Sequence, residues 1–179
     1  MWTQLGKKIG DLGVHPNQLT LAGLLVSLLA PVFAYLGQGP LALLFMILSA
    51  PFDALDGLVA RASGKESKFG AMLDSFSDRV IDASYILTLA FLGVDFLLCY
   101  VLLALSFLIS YQAAMAERAG LRMKGVGLLE RKYRVPGLVL VTALTFLDLR
   151  WAAGGVVVLI VLSLVTIAQR MALLARVAG

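Results

Sequence analysis

The chain predicts an all-α integral membrane fold of six transmembrane helices preceded by an N-terminal amphipathic surface helix. Three observations lead there. Of its 179 residues 60% are hydrophobic and only 15% charged; the mean hydropathy is +0.93; and successive apolar runs reach the roughly 20 residues that a helical crossing of a bilayer needs. A water-soluble domain is excluded. One domain accounts for residues 1–179, with a juxtamembrane helix over 1–14 and a six-helix body over 15–179.

The opening segment places Trp2, Leu5, Ile9 and Leu12 at helical spacing, the pattern of a helix lying on a membrane surface. It lacks the compact apolar core and small-residue cleavage site of a signal peptide, and is read as mature protein. His15-Pro16-Asn17 then breaks the chain, and the first span runs from about Asn17 to Leu36, closed by Gly37-Gln38-Gly39-Pro40. Span two covers about Leu41 to Arg61, and a polar connection over Ala62–Lys68 leads into span three, about Phe69 to Leu92. Span four covers about Phe96 to Ala116. A basic connection over Glu117–Arg134 follows, then span five, opened by Pro136 and reaching about Leu147. A turn at Asp148-Leu149-Arg150 precedes span six, about Trp151 to Leu174. Gly154-Gly155 allows close helix contact there.

Charge fixes the expected orientation. Lys7, Lys8, Arg61, Lys65, Lys68, Arg118, Arg122, Lys124, Arg131, Lys132, Arg134, Arg170 and Arg176 fall at one face, against Arg150 alone among basic residues at the other. Positive residues stay cytoplasmic, so both termini and the polar ends of spans two and three face the cytosol. The formal net charge of +4 suits anionic headgroups or an anionic substrate. Nucleic acid is not implied, because no basic, aromatic-interleaved soluble module is present. Cys99 is the only cysteine, which excludes an intrachain disulfide or a cysteine-based metal site.

Spans two and three carry what an apolar helix avoids: Asp53, Asp56, Asp74, Asp78 and Asp82, each costly at membrane depth unless paired, metal-bound or facing water. Asp53 and Asp56 stand at i, i+3, and Asp74 and Asp78 at i, i+4, so each pair shares a helical face. If the chain reverses near Lys65, Asp56 and Asp74 lie nine residues either side of the bend, with Asp53 and Asp78 twelve and thirteen away. Four carboxylates at matching depth repel one another unless cations compensate. All-oxygen ligands suit hard ions, and two divalent cations, Mg²⁺ or Mn²⁺, about 3.5 to 4 Å apart would clamp a phosphoryl group during in-line displacement. Gly57 and Gly70 leave room for a ligand, and the Arg61 guanidinium at the mouth suits a diphosphate. The competing reading is a structural polar network with Arg61 snorkelling to the interface; the cost of membrane-depth charge favours function. Asp82 lies deeper, within i, i+3 reach of Arg79, and both a structural and a functional role remain open for it.

Asp53-Ala-Leu-Asp56-Gly57-Leu-Val-Ala60-Arg61, followed after eight residues by Gly70, Asp74 and Asp78, resembles the D-x2-D-G-x2-A-R-x8-G-x3-D-x3-D motif of the CDP-alcohol phosphotransferase family at all eight fixed positions, over 26 residues. Membership implies transfer of a phosphoalcohol group from a CDP-linked donor to an acceptor hydroxyl, with release of CMP. It implies Asp53, Asp56, Asp74 and Asp78 as metal ligands and Asp78 as general base. Gly57, Ala60 and Arg61 would contact the CDP moiety, with Gly70 and Ser67 beside it. Pro16-Asn17-Gln-Leu-Thr20 is similar to a P-N-x-x-T segment near the nucleotide in several branches, which adds Asn17 and Thr20; a plain helix-start signal explains the same residues. Homodimerisation is a further implication of membership.

Leu73-Asp74-Ser75-Phe-Ser-Asp78-Arg79-Val-Ile-Asp82 and the segment Ser110 to Arg134, with its Glu130-Arg131-Lys-Tyr-Arg134 stretch, resemble the phosphatidylinositol-phosphate and archaetidylinositol-phosphate synthase branch. The chemistry agrees in sign, since Arg118, Arg122, Lys124, Arg131 and Arg134 suit the phosphate of a phosphorylated polyol acceptor. Membrane orientation alone explains such a basic run as well. The expected reaction joins a CDP-activated phosphatidyl or archaetidyl lipid to L-myo-inositol 1-phosphate. The alternatives are CDP-inositol as donor, giving di-myo-inositol phosphate phosphate, or glycerol 3-phosphate or serine as acceptor. A cation transporter or channel is the alternative from another class, and it predicts acids spread along a route rather than grouped at one end of two spans.

Overall fold

The computed structural model describes residues 13–123 and 125–178, apart from the side chains of Asp53, Val177 and Ala178. Six helices run through these residues: α1 (Pro16–Tyr35), α2 (Gly39–Ser63), α3 (Lys68–Phe91), α4 (Phe96–Arg118), α5 (Arg131–Leu144) and α6 (Leu149–Ala178). No strand occurs among the described residues. The proposed surface helix falls almost wholly outside them, as does Lys124.

By length and apolarity four helices qualify to cross a membrane: α1, α2, α4 and α6. The other two depart from the expected pattern for different reasons. α3 carries Lys68, Asp74, Asp78, Arg79 and Asp82, and α5 has only 14 residues, roughly 21 Å at 1.5 Å per residue against a hydrocarbon core of about 30 Å.

Helix boundaries follow local chemistry. His15 caps α1, its Nδ1 accepting the Asn17 N–H at 3.3 Å while Gln18 Oε1 accepts the His15 N–H at 2.9 Å. Gly64, in the left-handed region, ends α2, and the Ser67 hydroxyl accepts the Gly70 N–H at 2.9 Å to start α3. The connection expected over Ala62–Lys68 thus shrinks to Gly64–Ser67. Pro136 does not open the fifth helix. That helix starts five residues earlier, where the Glu130 carbonyl accepts the Tyr133 and Arg134 N–H groups at 2.9 Å each, and Pro136 lies inside it. α6 likewise begins at Leu149, Asp148 Oδ1 accepting the Arg150 N–H at 2.8 Å.

The chain forms two compact units that divide between Thr88 and Leu89, in the last turn of α3. In the first, α1 and α2 pack closely, with Gly23 against Phe52. α3 joins them through hydroxyls: Ser84 donates to the Ser27 carbonyl at 2.6 Å, and buried Tyr85 donates to the Met46 carbonyl at 2.7 Å beside Ser49. In the second unit α6 packs on both α4 and α5, and Gly155, not Gly154, makes the close approach, to Val141 of α5. Helices meet through small and hydroxyl residues, while Leu25, Val32, Ile47, Leu108, Val158 and Leu164 point outward. In water that surface would aggregate; facing lipid, it is the solvated side. Most buried hydroxyls return their proton to their own helix, as Ser49, Thr88, Thr142 and Ser163 do to carbonyls three or four residues back.

Candidate active site

In the first unit the start of α1, the later half of α2 and the first turns of α3 converge. Asp56 is 5% exposed. Its carboxylate accepts the Thr20 hydroxyl from α1 on Oδ2 and its neighbour's Gly57 N–H on Oδ1. The Thr20 proton has a second acceptor, the Pro16 carbonyl, at the longer distance of 3.3 Å. Thr20, read from sequence as nucleotide-binding, therefore works first on a carboxylate.

At Gly70 the absence of a side chain matters sterically. A Cβ there would stand 3.1 Å from Asn17 Oδ1 and 3.0 Å from Ser67 Oγ, so a larger residue would crowd the α1–α3 contact. Asn17, Ser67 and Gly70 are thus brought together. On α2 the Arg61 guanidinium folds back along its own helix, with Nη1 3.3 Å from where a Gly57 Cβ would be. Ala60 is half-buried beside them in sequence.

Asp74 and Asp78 lie one turn apart on α3, both half-buried. Asp78 Oδ2 is 3.6 Å from Arg79 Nη1, which also donates to the Ser75 carbonyl at 2.8 Å. Asp82 is 1% exposed. Asp53 lies on α2 one turn before Asp56. Among the described residues no three His, Cys, Asp or Glu side chains cluster tightly enough to hold a metal ion; the Asp53 side chain is outside that set. The donor chemistry on α2 and α3 is nonetheless all carboxylate, which fits hard divalent cations.

The residues read as acceptor-binding lie in the second unit. Arg118 ends α4 and Arg122 lies in the following connection, both exposed, while Arg131 is half-buried at the start of α5. Arg134 is 1% exposed. Arg170, one of the basic residues assigned from sequence to the cytoplasmic face, is 5% exposed. Its Nε donates to the Val126 carbonyl at 3.0 Å and Nη1 to the Ile109 carbonyl at 2.7 Å. Glu130 and Arg134 lie within its electrostatic reach. The signal was present: an arginine inside an otherwise apolar span is a functional candidate by default. A cavity of about 550 Å³ opens between residues 125–128 and the last turns of α6, lined also by Gln169, Leu173 and Arg176; none of Arg118, Arg122, Arg131 or Arg134 lines it.

An all-helical, lipid-facing chain with buried carboxylates in one unit and buried guanidinium groups in the other has the makings of a membrane enzyme acting on phosphates. The chain belongs to the CDP-alcohol phosphatidyltransferase family, whose sequence pattern matches residues 13–176, and is a transferase. It is 39% identical over 168 residues to the archaetidylinositol phosphate synthase of Pyrococcus horikoshii, covering 93% of this chain and 87% of that one. Its fold matches the crystal structure of the Mycobacterium tuberculosis phosphatidylinositol phosphate synthase with CDP-DAG bound, at a TM-score of 0.82 and 26% identity over 96% of this chain and 92% of that one. The same mycobacterial enzyme in complex with manganese and citrate matches at a TM-score of 0.81 and 26% identity, over 96% and 87%.

Proposed function

We propose that the protein transfers a phosphatidyl or archaetidyl group from a CDP-linked lipid to L-myo-inositol 1-phosphate, releasing CMP, in a divalent-metal-dependent reaction. The intact eight-position motif supports the donor chemistry. The acceptor rests on one observation: Arg131 and Arg134 stand one turn apart at the start of α5, with Arg170 of α6 within electrostatic reach of Arg134, a concentration of cationic side chains that suits a phosphorylated acceptor. The similarity to archaetidylinositol phosphate synthase supports the same acceptor.

In this reading the acceptor hydroxyl oxygen attacks the lipid-bearing phosphorus, and the bond from that phosphorus to the CMP oxygen breaks, CMP taking the electron pair. Asp78 takes the hydroxyl proton. Arg61, lying over Gly57, holds the diphosphate together with the backbone near Ala60 and Gly70, and Asn17 and Ser67 border the nucleotide. Arg131 and Arg134 orient the acceptor phosphate with bidentate geometry, and Arg118, Arg122 and Lys124 draw it in from solution. Two Mg²⁺ or Mn²⁺ ions held by Asp53, Asp56, Asp74 and Asp78 would neutralise the diphosphate and the leaving oxygen. The domain spans residues 1–179, with six crossings, a surface helix over 1–14, and both termini and the site facing the cytosol.

The test is CMP release in lipid nanodiscs with Mg²⁺ or Mn²⁺, supplying CDP-diacylglycerol or CDP-archaeol with inositol 1-phosphate, glycerol 3-phosphate, serine or inositol in turn, and CDP-inositol as a separate donor. Release selective for inositol 1-phosphate and abolished by EDTA is expected. Selective release with another acceptor would overturn the acceptor assignment.

A further inference from the structure

The geometry points to Thr166 as a positioning residue for acceptor binding, a latch on α6 that sets where α5 begins and so where Arg131 and Arg134 stand. The inference rests on the acceptor reading above. Thr166 is fully buried. Its Oγ1 accepts the Leu129 N–H at 2.8 Å and donates its own proton to the Leu162 carbonyl at 2.8 Å, so the hydroxyl is satisfied by the protein.

Its methyl group has a separate partner. Gly127 sits at φ +111, and a Cβ there would overlap Thr166 Cγ2. Only glycine meets both demands, a left-handed backbone and a seat for that methyl. One turn further along α6, Arg170 holds the Val126 carbonyl at 3.0 Å. Three successive points of the connection, Val126, Gly127 and Leu129, are therefore held by one face of α6, and the Leu129 side chain is itself 3% exposed.

The hold is transmitted because nothing soft follows it. Glu130, next to Leu129, is the N-cap of α5 and accepts the Tyr133 and Arg134 N–H groups at 2.9 Å each. A shift at Leu129 thus moves Arg131 and Arg134 with it, and a bidentate phosphate site tolerates little misplacement.

The experiment compares wild type, Thr166→Val, Thr166→Ser and Gly127→Ala in nanodiscs, measuring kcat, KM for inositol 1-phosphate and for the CDP-lipid, and amide hydrogen exchange over residues 123–131. Thr166→Val keeps the shape but removes the acceptor oxygen. It is expected to raise the acceptor KM by about tenfold, with kcat and the CDP-lipid KM within about twofold, and to speed exchange at Leu129. Thr166→Ser restores both readouts, and Gly127→Ala repeats the acceptor-specific defect with the hydroxyl intact. Unchanged exchange in Thr166→Val would overturn the latch. Faster exchange with kcat and both KM values worsening together would overturn the positioning role, as would a folded Gly127→Ala chain with a wild-type acceptor KM. If wild type uses a different acceptor, the acceptor assignment fails, and the same KM split read on that acceptor still decides the latch.

Discussion

In the unit ending at Thr88 the candidate residues come from one 26-residue stretch of α2 and α3, with Asn17 and Thr20 reaching in from α1. In the unit beginning at Leu89, Arg131, Arg134 and Arg170 come from α5 and α6, and the placement of the first two depends on the connection between α4 and α5, whose described residues form no regular helix. The first region is specified by local spacing on two helices. The second is specified by tertiary hydrogen bonds onto α6. Damage to the first is accordingly expected to strike turnover and metal affinity, and damage to the second to strike acceptor affinity.

The largest expected effect is that of Asp78→Asn, which keeps the size of the side chain but replaces a carboxylate oxygen with an NH2 group and cannot take a proton at neutral pH. CMP release falls by about 10²- to 10³-fold with circular dichroism and thermal unfolding unchanged; near-normal turnover would reject the base role. Next is Arg134→Ala. It empties a buried cationic position and raises the KM for inositol 1-phosphate by about 10²-fold, while Arg134→Lys recovers part of the loss. If Arg134→Ala lowered kcat and left that KM alone, the division between the two regions would fail.

A smaller effect is expected at Thr20. Removing the hydroxyl that Asp56 accepts, in Thr20→Val, weakens Mn²⁺ binding by about tenfold in calorimetric titration without substrates, and Thr20→Ser restores it. The smallest belongs to Arg118→Ala, which changes the acceptor KM by less than about twofold at physiological salt because the side chain is exposed and screened. A salt titration of the acceptor KM checks this, since only the exposed charges should respond.

The family was legible from the likeness of residues 53–78 to its motif, and the carboxylate pairs because helical spacing and membrane energetics act locally: an Asp one turn from another Asp in an apolar run needs no tertiary information to be conspicuous. Helix ends were legible to within a few residues, missing where a cap outweighed composition. Glu130 starts α5 ahead of Pro136, and Asp148 starts α6 inside what reads as a turn. Burial was not legible. Arg118, Arg122, Arg131 and Arg134 look alike in sequence and separate only when packing places the first two in solvent and the last in the interior. Arg170 was grouped with surface charges because its bonds to Ile109 and Val126 span 61 and 44 residues.

The hydroxyls of Ser49, Thr88, Thr142 and Ser163 that bond to their own helices bear on how such a chain is made. A helix whose polar side chains are satisfied by its own backbone can enter a bilayer singly, before any neighbour exists, and can then slide against others until small residues mesh. α2 and α3, with their carboxylates, have no such independence. Biogenesis would therefore have to bring these two helices together against α1, so that their carboxylates are received by partners rather than by bare lipid.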